Sequence, residues 1–470
     1  MQSALKLLTI LLPMIYVAAA LTTAAHALLN KRDSRSAWGW IALCWLFPLG
    51  GAALYWVLGV NRVEGYVQRL SERARKMVVS DSPAADVATS PSRRELVRAG
   101  EQASGAALLA GNAVEPLYNG EQAYPAMLDA IANARESVYL TSYIFRADTI
   151  GHRFARALAD ALQRGVRVRV LLDGVSDLYY RPRASRMLRD IGVPYALFLP
   201  LTLWPPLLHA NLRNHRKLLL VDGNIAFTGG MNIADYHLLN GSTREPVADL
   251  QFRVRGPLLN QLEAVFRADW FFSSEEVLPA SAPTTGIGNA ACRVITDGPN
   301  DDRGPYMLLL MAALASAHRS VCVMTPYFLP PAPIAAALAA TAMRGITVRV
   351  LLPEESDQPW VDWAARHALL PLLQRKVQIY FGAAPFAHTK LLLIDDEYVQ
   401  FGSANLDARS MRLNFELNVE AYDRDLAAEL LRHFDAEITR ARQLDLRTQK
   451  RRHLPQRLRN AFFWLFSPFL

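Results

Sequence analysis

The sequence predicts an α/β protein in which two homologous domains pack around one shared site, preceded by a two-helix transmembrane hairpin. Three observations carry that expectation. Two long apolar runs open the chain, a strand and helix pattern then occurs twice, and one set of polar residues recurs within it at identical spacing.

Residues 4–29 are interrupted only by Lys6 and His26, and residues 37–60 hold no charged side chain. Each run exceeds the about 20 residues a helix needs to cross a bilayer. A short basic loop with Lys31, Arg32 and Arg35 separates them, and Trp38 and Trp56 sit near the ends of the second, where interfacial aromatics anchor. The larger basic cluster, Arg62, Arg69, Arg73, Arg75 and Lys76, follows the second run, which favours a cytoplasmic position for what comes after. The chain divides into a hairpin (1–60), a Ser- and Pro-containing linker (61–110), two domains (111–285 and 286–445) and a basic, aromatic tail (446–470). A net charge of +8 suits a polyanionic neighbour, lipid surface or nucleic acid, without choosing between them. Cys44, Cys292 and Cys322 match neither a metal nor a disulfide spacing.

The duplication is visible by eye: SVYLTSYIF at 137–145 is echoed by SVCVMTPYF at 320–328, and RGVRVRVLL at 164–172 by RGITVRVLL at 344–352. Buried apolar runs alternating with amphipathic segments predict βαβ units and largely parallel sheets.

Each copy then carries HxKxxxxD: His215, Lys217 and Asp222 in the first, His388, Lys390 and Asp395 in the second. Seventeen residues after each histidine stands an asparagine closing a Gly-x-x-Asn run, Asn232 and Asn405. On a strand, residues i and i+2 share a face, so each histidine and its lysine reach one cleft while Arg216 and Thr389 point away. Two lysines and two amides suit the charge that builds on a phosphodiester, and two imidazoles supply a nucleophile and an acid. No metal is expected, because the lysines would repel a cation. Each imidazole also needs a carboxylate on its remote nitrogen, and the expected partners are Glu416 for His388 and Asp249 for His215.

These residues resemble the phospholipase D superfamily, and the wording NLRNHRK (211–217), GGMN (229–232), GSANLD (402–407) and RLNFELN (412–418) is similar to that of the bacterial cardiolipin synthases. The resemblance implies two phospholipase D-type domains, a bacterial inner-membrane location and no cofactor. It also implies phosphatidylglycerol as substrate, a phosphatidyl group carried on histidine, and glycerol released as it passes to a second phosphatidylglycerol. Thr141 and the run 386–389 depart from the usual wording, which bears on the acceptor. A phospholipase D hydrolase, a phosphatidylserine-type synthase and a nucleic-acid phosphodiesterase are the alternatives. Two features favour lipid over nucleic acid: a proline-interrupted apolar stretch at 198–208, and the tail, where Arg451, Arg452, Arg457 and Arg459 precede Phe462, Phe463 and Trp464. Because that stretch leads into the first motif, His215 is expected to attack.

Overall fold

A computed structural model describes residues 2–31, 34–59, 91–201, 212–241, 243, 245–299 and 304–467, in two compact units divided at Arg69 and Leu70. In the first unit, helix Gln2–Asn30 includes one stretch, Pro13–Asn30, long and apolar enough to cross a membrane. The second apolar run is not the single helix expected. It is broken into Ser34–Leu46, Pro48–Leu54 and Tyr55–Gly59. Pro48 explains the first break: it has no N–H to donate and pushes Phe47 out of helical geometry, to φ −134° and ψ 77°. The pieces still fold back on the first helix, where His26 meets the Tyr55 hydroxyl at 2.8 Å and the Trp56 indole donates to Thr23.

The second unit is built on one 15-stranded sheet. The same order of seven strands is laid down twice, with Arg442–Gln443 added at one edge, and the copies join where Leu109–Tyr118 runs antiparallel to Ala290–Asp297. Within this sheet, parallel pairing is confined to Ser137–Ser142 with Arg167–Asp173 and Tyr195–Phe198, and to the equivalent Ser320–Met324, Thr347–Pro353 and Gln378–Gly382. The largely parallel sheet predicted from the sequence is therefore a mixed one. The tight turns between Leu218–Val221 and Ile225–Gly229, and between Leu391–Ile394 and Tyr398–Gly402, are too short for the crossover a parallel pair needs. Each copy has its own core: Phe154, Val170, Leu219 and Phe227 in the first, Leu309, Val323, Val350 and Ile394 in the second.

Two expectations change here. Residues 91–104, assigned to the linker, form helix Pro91–Ser104, whose Leu96 joins the core of the second copy. Linker residues 61–90 lie outside the described residues, and the linker's last two residues open the strand Leu109–Tyr118. In the apolar stretch at 198–208, Phe198 is buried between Phe272 and Phe415, so its beginning is core; residues 202–208 lie outside the described residues.

Candidate active site

Each histidine motif sits in extended backbone just before a four-residue strand, Leu218–Val221 or Leu391–Ile394, buried throughout. That strand fixes the lysine, and the turn beyond it is closed by the motif's aspartate. Asp222 and Asp395 adopt left-handed φ angles of 52° and 57°. Asp222 accepts the backbone N–H groups of Arg135, Glu136 and Ser137, and Asp395 those of His318, Arg319 and Ser320. The five residue steps along the strand separate them from the lysines by about 16 Å. Named above with the catalytic set, they are turn-closing residues instead.

Four other groups converge on a cleft of about 1810 Å³ lined by both copies, His215, Asn232, His388 and Asn405 among them. Backbone hydrogen bonds staple each motif to the opposite copy: the N–H of His215 donates to Phe415 at 2.9 Å and that of His388 to Ala248 at 2.8 Å. Each acceptor immediately precedes a carboxylate. In consequence the carboxylates are exchanged. His215 Nδ1 lies 3.0 Å from Glu416 and 3.0 Å from the Ser403 carbonyl, and His388 Nδ1 lies 2.8 Å from Asp249. This reverses the pairing expected from sequence, because each carboxylate strand borders the other copy's histidine. Every neighbour of Nδ1 on His215 is an acceptor, so that nitrogen carries the proton and Nε2 presents its lone pair.

Lys217 donates to the His215 carbonyl at 2.7 Å, with the Tyr143 ring 5.2 Å from its Nζ. Lys390 lies 2.5 Å from the His388 carbonyl and 2.9 Å from both ring nitrogens of His388. Burial lowers Lys217 well below the usual lysine range, with Lys390 adding to the effect, and lowers Lys390 to about 8. Burial also brings His215 down to about 4 and, helped by Lys390, His388 to about 3. Asp249, whose burial opposes ionisation, is held at about 2 by His388 and Lys390. The pair therefore rests as carboxylate and neutral imidazole, set by burial and the lysines.

The glycines of the Gly-x-x-Asn runs let the turn close on the next strand. Gly229 has φ 154°, and a Cβ there would meet the Leu250 carbonyl at 2.7 Å. Asn232 takes the Ile144 N–H on its oxygen and donates to Tyr236, while Asn405 Oδ1 is buried without a partner among the described residues. Two supporting residues escaped the sequence reading. The N–H of Asn232 donates to His237 Nε2 and that of Asn405 to Ser410, five residues on in each copy. The equal spacing was there to see, but the residue types differ. Arg216 does point away from the cleft, into a buried ion pair with Asp269 at 2.5 Å.

A family model described as "Cardiolipin synthase, PLD-like domain" matches residues 127–270 and 310–438, and one described as "Phospholipase_D-nuclease N-terminal" matches 18–59. Cardiolipin synthase A of Pseudomonas entomophila (strain L48) is 32% identical over 95% of this chain and 95% of its own length. The major cardiolipin synthase ClsA of Bacillus subtilis (strain 168) is 27% identical over 98% and 99%. The crystal structure of a phosphatidylserine synthase of Haemophilus influenzae Rd KW20 shares the fold, with a TM-score of 0.62 at 14% identity, covering 80% of this chain and 100% of that one. With its two halves both matched by one family model and its relatives aligned almost end to end, the chain belongs to the phospholipase D-like cardiolipin synthase family.

Proposed function

We propose that the protein is a cardiolipin synthase, transferring a phosphatidyl group from one phosphatidylglycerol to another through a phosphohistidine. The observation that carries this reading is the pair of neutral imidazoles, each braced by the other copy's carboxylate, facing one cleft beside two lysines. The names of the relatives support the acceptor.

His215 attacks phosphorus through Nε2, which has no hydrogen-bond partner among the described residues, whereas the His388 ring has the Lys390 ammonium 2.9 Å from both of its nitrogens. The phosphorus–oxygen bond to glycerol breaks as His388 gives that oxygen a proton drawn from the Lys390 ammonium. The acceptor hydroxyl then attacks phosphorus, its proton passes through His388 back to Lys390, and the bond to His215 breaks. Acid quench with phosphate-labelled phosphatidylglycerol tests the assignment: His388→Ala should still form the adduct slowly, on His215, and wild type should yield cardiolipin. Label on His388 in a His215→Ala enzyme would reverse it.

For location we propose the bacterial inner membrane, multi-pass, with the catalytic unit cytoplasmic; the basic cluster at 62–76 supports that side. The tail supports a bilayer contact, because Phe462 and Trp464 are exposed while Phe463 is half-buried. Phe463 and Trp464 pack on Trp363 and His367, while Leu454, Leu458 and Phe462 of helix Leu454–Trp464 are exposed at four-residue intervals beside Arg457. Leu458→Asp with Phe462→Asp should weaken binding of a hairpin-deleted enzyme to anionic vesicles; unchanged binding would assign that face elsewhere.

A further inference from the structure

Making cardiolipin brings two phosphates into the cleft, and the histidines, lysines and asparagines serve only the one that is transferred. The acceptor phosphatidylglycerol keeps its own phosphodiester, a glycerol away from the hydroxyl that attacks. That anion needs a cation outside the catalytic cluster.

Five arginines line the cleft, and three already face carboxylates: Arg213 with Asp173, Arg440 with Glu437, and Arg442 with Glu354. Arg146 and Arg409 have no ion pair among the described residues. Arg409 stands two residues from the buried Asp407 carboxylate and belongs to the short helix Ala408–Arg412 that this aspartate caps. Arg146 is set up differently. Its guanidinium carbon lies 5.2 Å from the Tyr180 ring and 6.0 Å from the Tyr236 ring, and its side chain makes no hydrogen bond among the described residues. The neighbouring Asp148 carboxylate is occupied by the backbone N–H groups of Gly151 and Asp235. Two aromatic faces thus hold a planar fork of donors whose edge is unspent, the arrangement suited to a phosphate diester.

Its position also fits. Tyr236 accepts from the Asn232 amide at 3.2 Å, so Arg146 stands one tyrosine away from the catalytic cluster. The duplication did not supply a counterpart: Leu329 follows Phe328 where Arg146 follows Phe145. A cation present on one side only is fitted to a step in which the two lipids play different parts.

We infer that Arg146, braced by Tyr180 and Tyr236, binds the phosphate of the acceptor lipid. The assignment rests on the synthase reading, and two reactions of the full-length enzyme separate them. Cardiolipin formation needs the acceptor phosphate. Exchange of labelled glycerol into phosphatidylglycerol runs the donor half-reaction forward and back and needs none. Arg146→Gln should lower cardiolipin formation at limiting phosphatidylglycerol by about 10- to 100-fold and leave exchange within about twofold, as expected for lost charge-assisted hydrogen bonds. Arg146→Lys, which keeps the charge but not the fork, should fall between. An equal fall in both reactions, or no fall in either, overturns the inference. Wild type that exchanges glycerol but makes no cardiolipin overturns the synthase reading itself.

Discussion

The two copies can be compared residue by residue. In the first, Asp222 closes its turn with backbone N–H groups; in the second, Asp395 does the same and also receives the Arg93 guanidinium at 2.7 Å, from the helix that precedes the whole sheet. His215 shares its Nδ1 between Glu416 and a carbonyl and has the Tyr143 ring at 4.8 Å, whereas His388 has Asp249 on Nδ1 and the Lys390 ammonium 2.9 Å from both ring nitrogens. The turn that positions the lysine has been kept twice. What surrounds each Nε2 has not, and this is where two identical motifs acquire different tasks: a free lone pair suits attack, and an imidazole next to a buried ammonium suits proton delivery.

The largest expected effect lies in the exchanged carboxylates. Glu416→Gln and Asp249→Asn should each cost about 10²- to 10⁴-fold in cardiolipin formation, because an amide can donate to Nδ1 and impose the wrong tautomer. They should differ in kind: Glu416→Gln suppresses adduct formation itself, while Asp249→Asn slows departure of glycerol and resolution. Rapid-quench adduct kinetics read the difference, and the opposite pattern would break the comparison. Next comes Arg93, whose loss strands a buried aspartate in the second copy only. Arg93→Met should destabilise the catalytic unit by about 3–5 kcal/mol in denaturant unfolding, and no loss would mean that the backbone bonds of Asp395 suffice. The smallest effect is in pH. The Lys390–His388 pair keeps one proton below about 8 and loses it as pH rises through that value, so kcat/KM should be level from roughly pH 5 to 7 and fall above about 8. Lys390→Arg should move that alkaline limb upward; an unmoved limb would assign it to another group.

Much of this was legible in the chain because it is local. HxK before a run of apolar residues, and a Gly-x-x-Asn at fixed distance, report a strand, a tight turn and the next strand, whose spacing survives folding unchanged. The exchange of Glu416 and Asp249 was not legible, since it depends on which copy's strand borders which histidine, a contact between residues about 140–200 positions apart. Asp222 and Asp395 misled because the motif groups them with residues at the far end of a strand. The helix Pro91–Ser104 was hidden by its Ser- and Pro-rich start, although Pro at the first helical turn is also how helices begin.

The exchanged carboxylates have one more consequence. Each copy gives its neighbour an equivalent backbone acceptor and a carboxylate, and receives the same in return, which is the self-complementarity of an isologous two-fold contact. A single ancestral copy would therefore have held everything required to complete the site against a second copy of itself. Fusing two copies into one chain ended that equivalence, so Arg93, Tyr143 and Arg146 could each arise on one side without being imposed on the other.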